Sequence, residues 1–105
     1  MEKLFNEKTS EKTKIKKRLK QKLQRQYTVI ILNDPFTTFE FVEDILVTVF
    51  HKTKGEAIKI AHAIHSNGRE IVGVYAKDIA LTMVKRVHLE AVQREFPLKC
   101  IAEEC

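Results

Sequence analysis

The sequence changes character at Tyr27, and that break limits what can fold. Residues 1–26 carry ten basic and three acidic side chains, a net charge of +7. Residues 27–105 carry nine basic and eleven acidic ones, a net charge of −2. The overall +5 therefore belongs to the first quarter of the chain. Apolar residues after Met1 are sparse there: Leu4, Phe5, Ile15, Leu19 and Leu23. The last three recur at i, i+4 and i+8, a thin helical stripe available between Lys14 and Gln26. So charged a segment cannot bury a core of its own, and a solvated basic extension is expected over residues 1–26. Folding falls to the 79 residues from Tyr27 to Cys105. That is small for one domain but workable without staples.

Several classes are excluded at once. No apolar run approaches the roughly 18 residues that a membrane helix needs; the longest bounded one is Val29–Leu32. The basic opening has no apolar segment behind it, so a secretory signal is not expected. The two cysteines, Cys100 and Cys105, are too few for a disulfide scaffold and fit a reducing compartment. A cytoplasmic protein is the expectation.

Tyr27 to Leu32 is apolar and β-branched and reads as a buried strand, stopped by Asn33-Asp34-Pro35. Thr37 with Glu40 spells a capping box, with Phe36 placed to staple onto Phe41. The helix it opens has Phe41, Ile45 and Val49 on one stripe and Val42, Leu46 and Phe50 beside it. Thr53 with Glu56 caps a second helix through about His65, with Ala57, Ile60, Ala61 and Ile64 inward and Asn67-Gly68 as its stop. Ile71 to Tyr75 is a second strand. Lys77 to about Phe96 is a third helix, burying Ile79, Ala80, Met83, Val84, Val87 and Ala91. Pro97 ends it, and Leu98 to Ala102 is a last strand. The order β-α-α-β-α-β predicts a single α+β two-layer sandwich, a three-stranded sheet packed on three helices.

Catalytic signatures are missing from this string. The three glycines are scattered and form no phosphate loop, and neither cysteine has a positioned base near it in sequence. His62 and His65, even with His51, lack the Cys or Glu companion that a metal site wants, so no metal or other cofactor is expected. A different set is more informative. Asn33 and Asp34 at a strand end, with His65 near a helix end, offer an amide oxygen, a carboxylate and an imidazole nitrogen. Together these can accept the N–H donors of an ammonium group. Phe39, Val42, Ala61 and Ile64 are the apolar candidates around them, enough for a small amphipathic ligand with one positive end. Spacing alone favours a plainer account, in which Asn-Asp-Pro is a turn and His65 a helix-end residue.

The stretch YTVIILNDPFTTFEFVEDIL, then AIHSNGREIVGVY, then FPLKC, resembles the ClpS family in order and spacing over about residues 27–102. These are bacterial adaptors that deliver N-degron substrates to the ClpAP protease. The resemblance implies the same β-α-α-β-α-β domain, no catalysis, and a preformed pocket for an N-terminal Leu, Phe, Tyr or Trp. It implies that Asn33, Asp34 and His65 hold the substrate α-amino group and that Thr37 stands at the pocket entrance. Val42, Ile64 and Leu98 match apolar wall positions, and Phe39 and Ala61 stand where relatives commonly carry Met. It also implies a ClpA-type AAA+ unfoldase as partner, docked through its N-terminal domain on the third helix near Asp78 and Thr82, with the adaptor a monomer. The flexible N-terminal extension of the family takes part in substrate handover.

Three departures bear on this. Phe39 is bulkier and Ala61 smaller than the usual Met. Pro35 replaces an often acidic residue, removing a charge and an N–H. Leu81-Thr82-Met83 replaces a Glu-Thr-Lys run, which puts the identity of the docking partner in question. A basic-armed sandwich would also suit a nucleic-acid- or ribosome-associated domain, since a similar sandwich closes the ribosomal stalk protein. That alternative wants basic stripes on the domain itself, and the domain is acidic.

Overall fold

The computed structural model describes residues 14–16 and 26–105. Of the expected stripe on the basic extension only Ile15 is among them, helical and exposed; Leu19, Leu23 and most of the extension lie outside the described residues. The elements are β1 (Gln26–Leu32), α1 (Phe39–Thr48), α2 (Lys54–Asn67), β2 (Arg69–Ala76), α3 (Lys77–Gln93) and β3 (Lys99–Glu104). The sheet order is β2-β1-β3, antiparallel throughout, so the first strand is the central one. This is the α+β sandwich expected, with the helices against one face of the sheet.

Alternation on β1 decides that face. Val29 and Ile31 point into the core beside Val72 of β2 and Cys100 of β3. Phe41, Val42, Ile45 and Leu46 of α1 are buried, as are Val49 and Phe50 just beyond its end and Ala57, Ala61 and Ile64 of α2. On α3 the buried line is Ala80, Val87 and Ala91, with Met83 and Val84 packed at its edge. Ile79 does not join it and is about half exposed, against expectation. The small residue Ala80 beside it lets the helix lie close to the sheet, and Ile79 turns outward.

β1 takes in Gln26, and β3 runs over Lys99–Glu104 rather than Leu98–Ala102; three further boundaries shift for local reasons. The cap of α1 is Thr38, not Thr37: its side chain accepts from the Phe41 amide at 3.2 Å. Thr37 is instead engaged by Asp34, and Phe36 stands exposed rather than stapled to Phe41. Helix α3 stops at Gln93 rather than near Phe96. Glu95 takes φ 60°, and the Glu95 and Phe96 amides donate back to the Val92 and Ala91 carbonyls, a Schellman closure built without glycine. Pro97 drives Phe96 away from the helical region, which is why the turn falls there. Strand β2 begins at Arg69, earlier than expected, because Leu32 pairs with Arg69 directly after the α2 cap.

One contact that the sequence did not suggest fastens an edge of the sheet. The outward amide of Cys100, on edge strand β3, donates to Nε2 of His88 on α3 at 3.1 Å. Cys100 is itself buried, so without His88 this donor would be left unpaired. We expect His88→Ala to destabilise the fold by about 1–3 kcal/mol in urea unfolding. A change within about 0.5 kcal/mol, the scatter of neutral surface substitutions, would show that the bond is dispensable.

Candidate functional site

Asn33-Asp34 and His65 are far apart in sequence, and two backbone hydrogen bonds bring them together. Gly68 takes φ 82°, the left-handed conformation that ends α2, and its amide donates to the Ile64 carbonyl at 2.9 Å. The Gly68 carbonyl then accepts from the Asn33 amide at 2.8 Å. The exit of β1 is thereby tied to the last turn of α2, where His65 sits. Any side chain but glycine at position 68 would strain this junction.

Asp34 organises the loop that follows. Its Oδ1 accepts from the Phe36 amide at 2.9 Å and the Thr37 amide at 2.7 Å, and its Oδ2 accepts from the Thr37 hydroxyl at 2.6 Å. Partial burial pushes this carboxyl up. The Thr37 hydroxyl and the Thr37 and Phe36 amides outweigh that and hold it below the ordinary carboxylate range. A carboxylate has about four acceptor positions, so three occupied positions leave roughly one, on Oδ2, for a further donor. Asp34 is thus ionised at neutral pH, fixed by its own loop, and still able to accept.

These residues rim a cavity of about 430 Å³ between the start of α1 and the second half of α2. Asn33, Asp34, Pro35, Thr37 and His65 supply polar and backbone edges; Phe39, Val42, Ala61 and Ile64 supply apolar surface. Val42, Ala61 and Ile64 are buried and form the floor, while Phe39 is 40% exposed and stands at the mouth. The volume lies within the roughly 300–1,000 Å³ usual for small-ligand pockets. The C-terminal end of α2 adds partial negative charge from its free carbonyls, which favours a cation beside His65. The chemistry available is binding of a small group with one cationic end and one apolar end.

Of the residues singled out in the sequence, eight line this one cavity. Leu98 does not: it is buried in the core with Cys100 and the α3 residues. Pro35 does, although the sequence marks it only as a departure from the family pattern. Asp78 and Thr82 line a separate shallow depression of about 240 Å³ with His51, Ile79, Met83 and Arg86. There the Thr82 hydroxyl donates to the Asp78 carbonyl at 2.8 Å. Among the described residues no three His, Cys, Asp or Glu side chains are placed to hold a metal ion. Burial pushes the Cys100 thiol up to about 12, which keeps it protonated and unreactive at neutral pH. No described helix is long and apolar enough to cross a membrane.

Comparison with known proteins gives one consistent answer. The family model of the ATP-dependent Clp protease adaptor protein ClpS matches residues 22–101. The ATP-dependent Clp protease adapter protein ClpS of Acetivibrio thermocellus is 47% identical over 79 residues, covering 75% of this chain and 80% of that one. That of Syntrophus aciditrophicus is 45% identical over 80 residues, covering 76% and 75%. Among solved structures, Agrobacterium tumefaciens ClpS2 bound to L-phenylalaninamide superposes with a TM-score of 0.75 at 30% identity. The match covers 78% of this chain and 99% of that one.

Proposed function

Since the chain belongs to the ClpS family of Clp protease adaptors, which are not enzymes, we propose that it reads the N-terminal residue of substrate proteins and hands them to a ClpA-type AAA+ unfoldase. The observation that carries this reading is the meeting of Asn33, Asp34 and His65 over an apolar floor. An N-terminal residue with a large apolar side chain has the matching shape, an ammonium group two bonds from a hydrophobic body. The free α-amino group has a pKa of about 7.7–8.0, so at neutral pH Asp34 meets a cation. The phenylalaninamide held by the Agrobacterium relative is such a molecule, with a free amino group and a benzyl side chain.

In this reading Asn33, Asp34 and His65 accept from the ammonium, and Leu, Phe, Tyr or Trp enters between Val42, Ala61 and Ile64. Thr37 acts by fixing Asp34, Phe39 closes the mouth, and Leu98 supports the floor from the core side. The depression around Asp78 and Thr82 is the docking face for the N-terminal domain of the unfoldase, and the adaptor works as a cytoplasmic monomer. Residues 1–25, which precede Gln26 at the start of β1, serve in handover.

Fluorescence-anisotropy titration with peptides that differ only in their first residue tests the reading. Peptides beginning Leu, Phe, Tyr or Trp are expected to bind, and those beginning Ser or Glu are not. Equal binding of all of them would refute it. Deleting residues 1–25 is expected to leave peptide binding and Tm nearly unchanged while slowing substrate degradation in a reconstituted ClpAP-type assay. Full-rate delivery by the truncated protein would leave the extension without this role.

A further inference from the structure

Phe39 packs against two imidazoles of α2. Its ring lies 5.2 Å from that of His62 at a tilt of 40°, and 5.2 Å from that of His65 at a tilt of 59°. His62 and His65 stand three apart on α2, one above the other on the same ridge, and Phe39 opens α1 opposite them. Both spacings fall in the tilted range in which aromatic pairs attract beyond their buried area. Phe39 and His65 line the cavity, but His62 does not. Its route to the cavity is therefore its contact with the Phe39 ring.

We propose that His62 is a positioning residue which fixes the Phe39 ring as a planar wall at the cavity mouth, and so biases the site toward aromatic over aliphatic N-terminal residues. The inference rests on the function proposed above and adds a residue to it. Phe39 is half-exposed at the start of its helix, where a lone phenylalanine would be free to change rotamer. Packed against two imidazoles, its ring keeps one orientation. A substrate ring can then pack against a fixed aromatic surface, whereas Leu gains only ordinary dispersion contact from it. Ala61, small and buried in the adjoining wall, leaves the incoming ring room to adopt that tilted packing.

The test is the ratio of dissociation constants for two peptides beginning Leu and Phe, measured on the full chain. His62→Ala is expected to reduce the preference for Phe by about 2- to 10-fold, the range of one aromatic contact, with Tm unchanged because His62 is exposed. His62→Phe, which restores a ring, is expected to restore the ratio. In a Phe39→Met background the His62→Ala change is expected to leave the ratio as it was. An unchanged ratio in the single variant, or an equal shift in the Phe39→Met background, overturns the inference while leaving the proposed function standing. Failure of the unaltered chain to bind either peptide overturns both.

Discussion

Asp34→Asn is expected to weaken binding of a Phe- or Leu-starting peptide by about 2–4 kcal/mol, on the order of a hundredfold. Asn is a sharper probe than Ala here. Its side-chain oxygen can still accept from the Phe36 and Thr37 amides, so the turn that Asp34 organises keeps its shape. The Thr37 hydroxyl can rotate to accept from the new amide instead of donating to Oδ2. What changes is the face offered to the ligand: a negative acceptor becomes a neutral donor opposed to an ammonium group. Acetylating the peptide should give a loss of similar size through the same contact. Affinity that survives the substitution in anisotropy titrations would remove Asp34 from the binding role and leave it as a turn residue. The pH profile provides a second reading. The lowered Asp34 pKa means that its charge, and its support of the turn, is present above the ordinary carboxylate range and lost only as pH falls through the lowered value. Binding should fall as pH rises past about 8, where the peptide ammonium loses its proton.

The fold was legible wherever a local rule and the burial pattern agreed. The Thr53–Glu56 capping box forms, and Gly68 ends α2 in the left-handed conformation its sequence position suggested. Where two local rules competed, the spelling alone could not choose between them. Thr37 and Thr38 are both able to cap α1, and only Thr37 has a rival partner, the Asp34 carboxylate three residues upstream. That carboxylate also draws in the Phe36 amide, so the turn, not a hydrophobic staple, sets where Phe36 points. The strand order was likewise out of reach. Placing β1 in the centre requires β3 to return past α3, which is settled by long-range pairing such as Ile31 with Cys100. His88 reads in sequence as a surface histidine, because its partner is a backbone amide that no side-chain motif marks.

The cavity was partly legible for a different reason. Asn33, Asp34 and His65 could be singled out by chemistry, since an amide, a carboxylate and an imidazole share a capacity to accept. Their meeting depends on a hydrogen bond from Asn33 to Gly68, two backbone groups that composition and periodicity do not reveal. In sequence His62 suggests at most a metal ligand, whereas its neighbour in space is the Phe39 ring from another helix. The family position of Leu98 implies a wall residue, whereas here it is buried in the core and is not among the residues that line the cavity. Sequence chemistry finds groups that can act; backbone pairing decides which of them meet.

Ala61→Met should divide the substrates by size, and that division tests whether the floor is what limits them. Ala61 is 2% exposed, lies on α2 and lines the cavity. Met adds roughly three heavy atoms at that point, and a buried site accommodates an added side chain only by filling free volume or displacing neighbours. The free volume here is the cavity itself, so the Met side chain should enter it rather than the core. Trp and Phe need the deepest occupancy and are expected to lose about 1–3 kcal/mol, or roughly 10- to 200-fold, the range of single-group discrimination in a hydrophobic pocket. Leu, smaller and flexible, should lose less, and Met can shift rotamer to admit it. Peptides beginning Leu, Phe and Trp, titrated against both proteins, give the ranking. A uniform loss for all three would mean that the substitution disturbs the rim that holds the ammonium rather than the hollow. No loss at all would mean that the side chain stops short of the Ala61 wall, and the floor of the site would then lie nearer the mouth, at Phe39 and Val42.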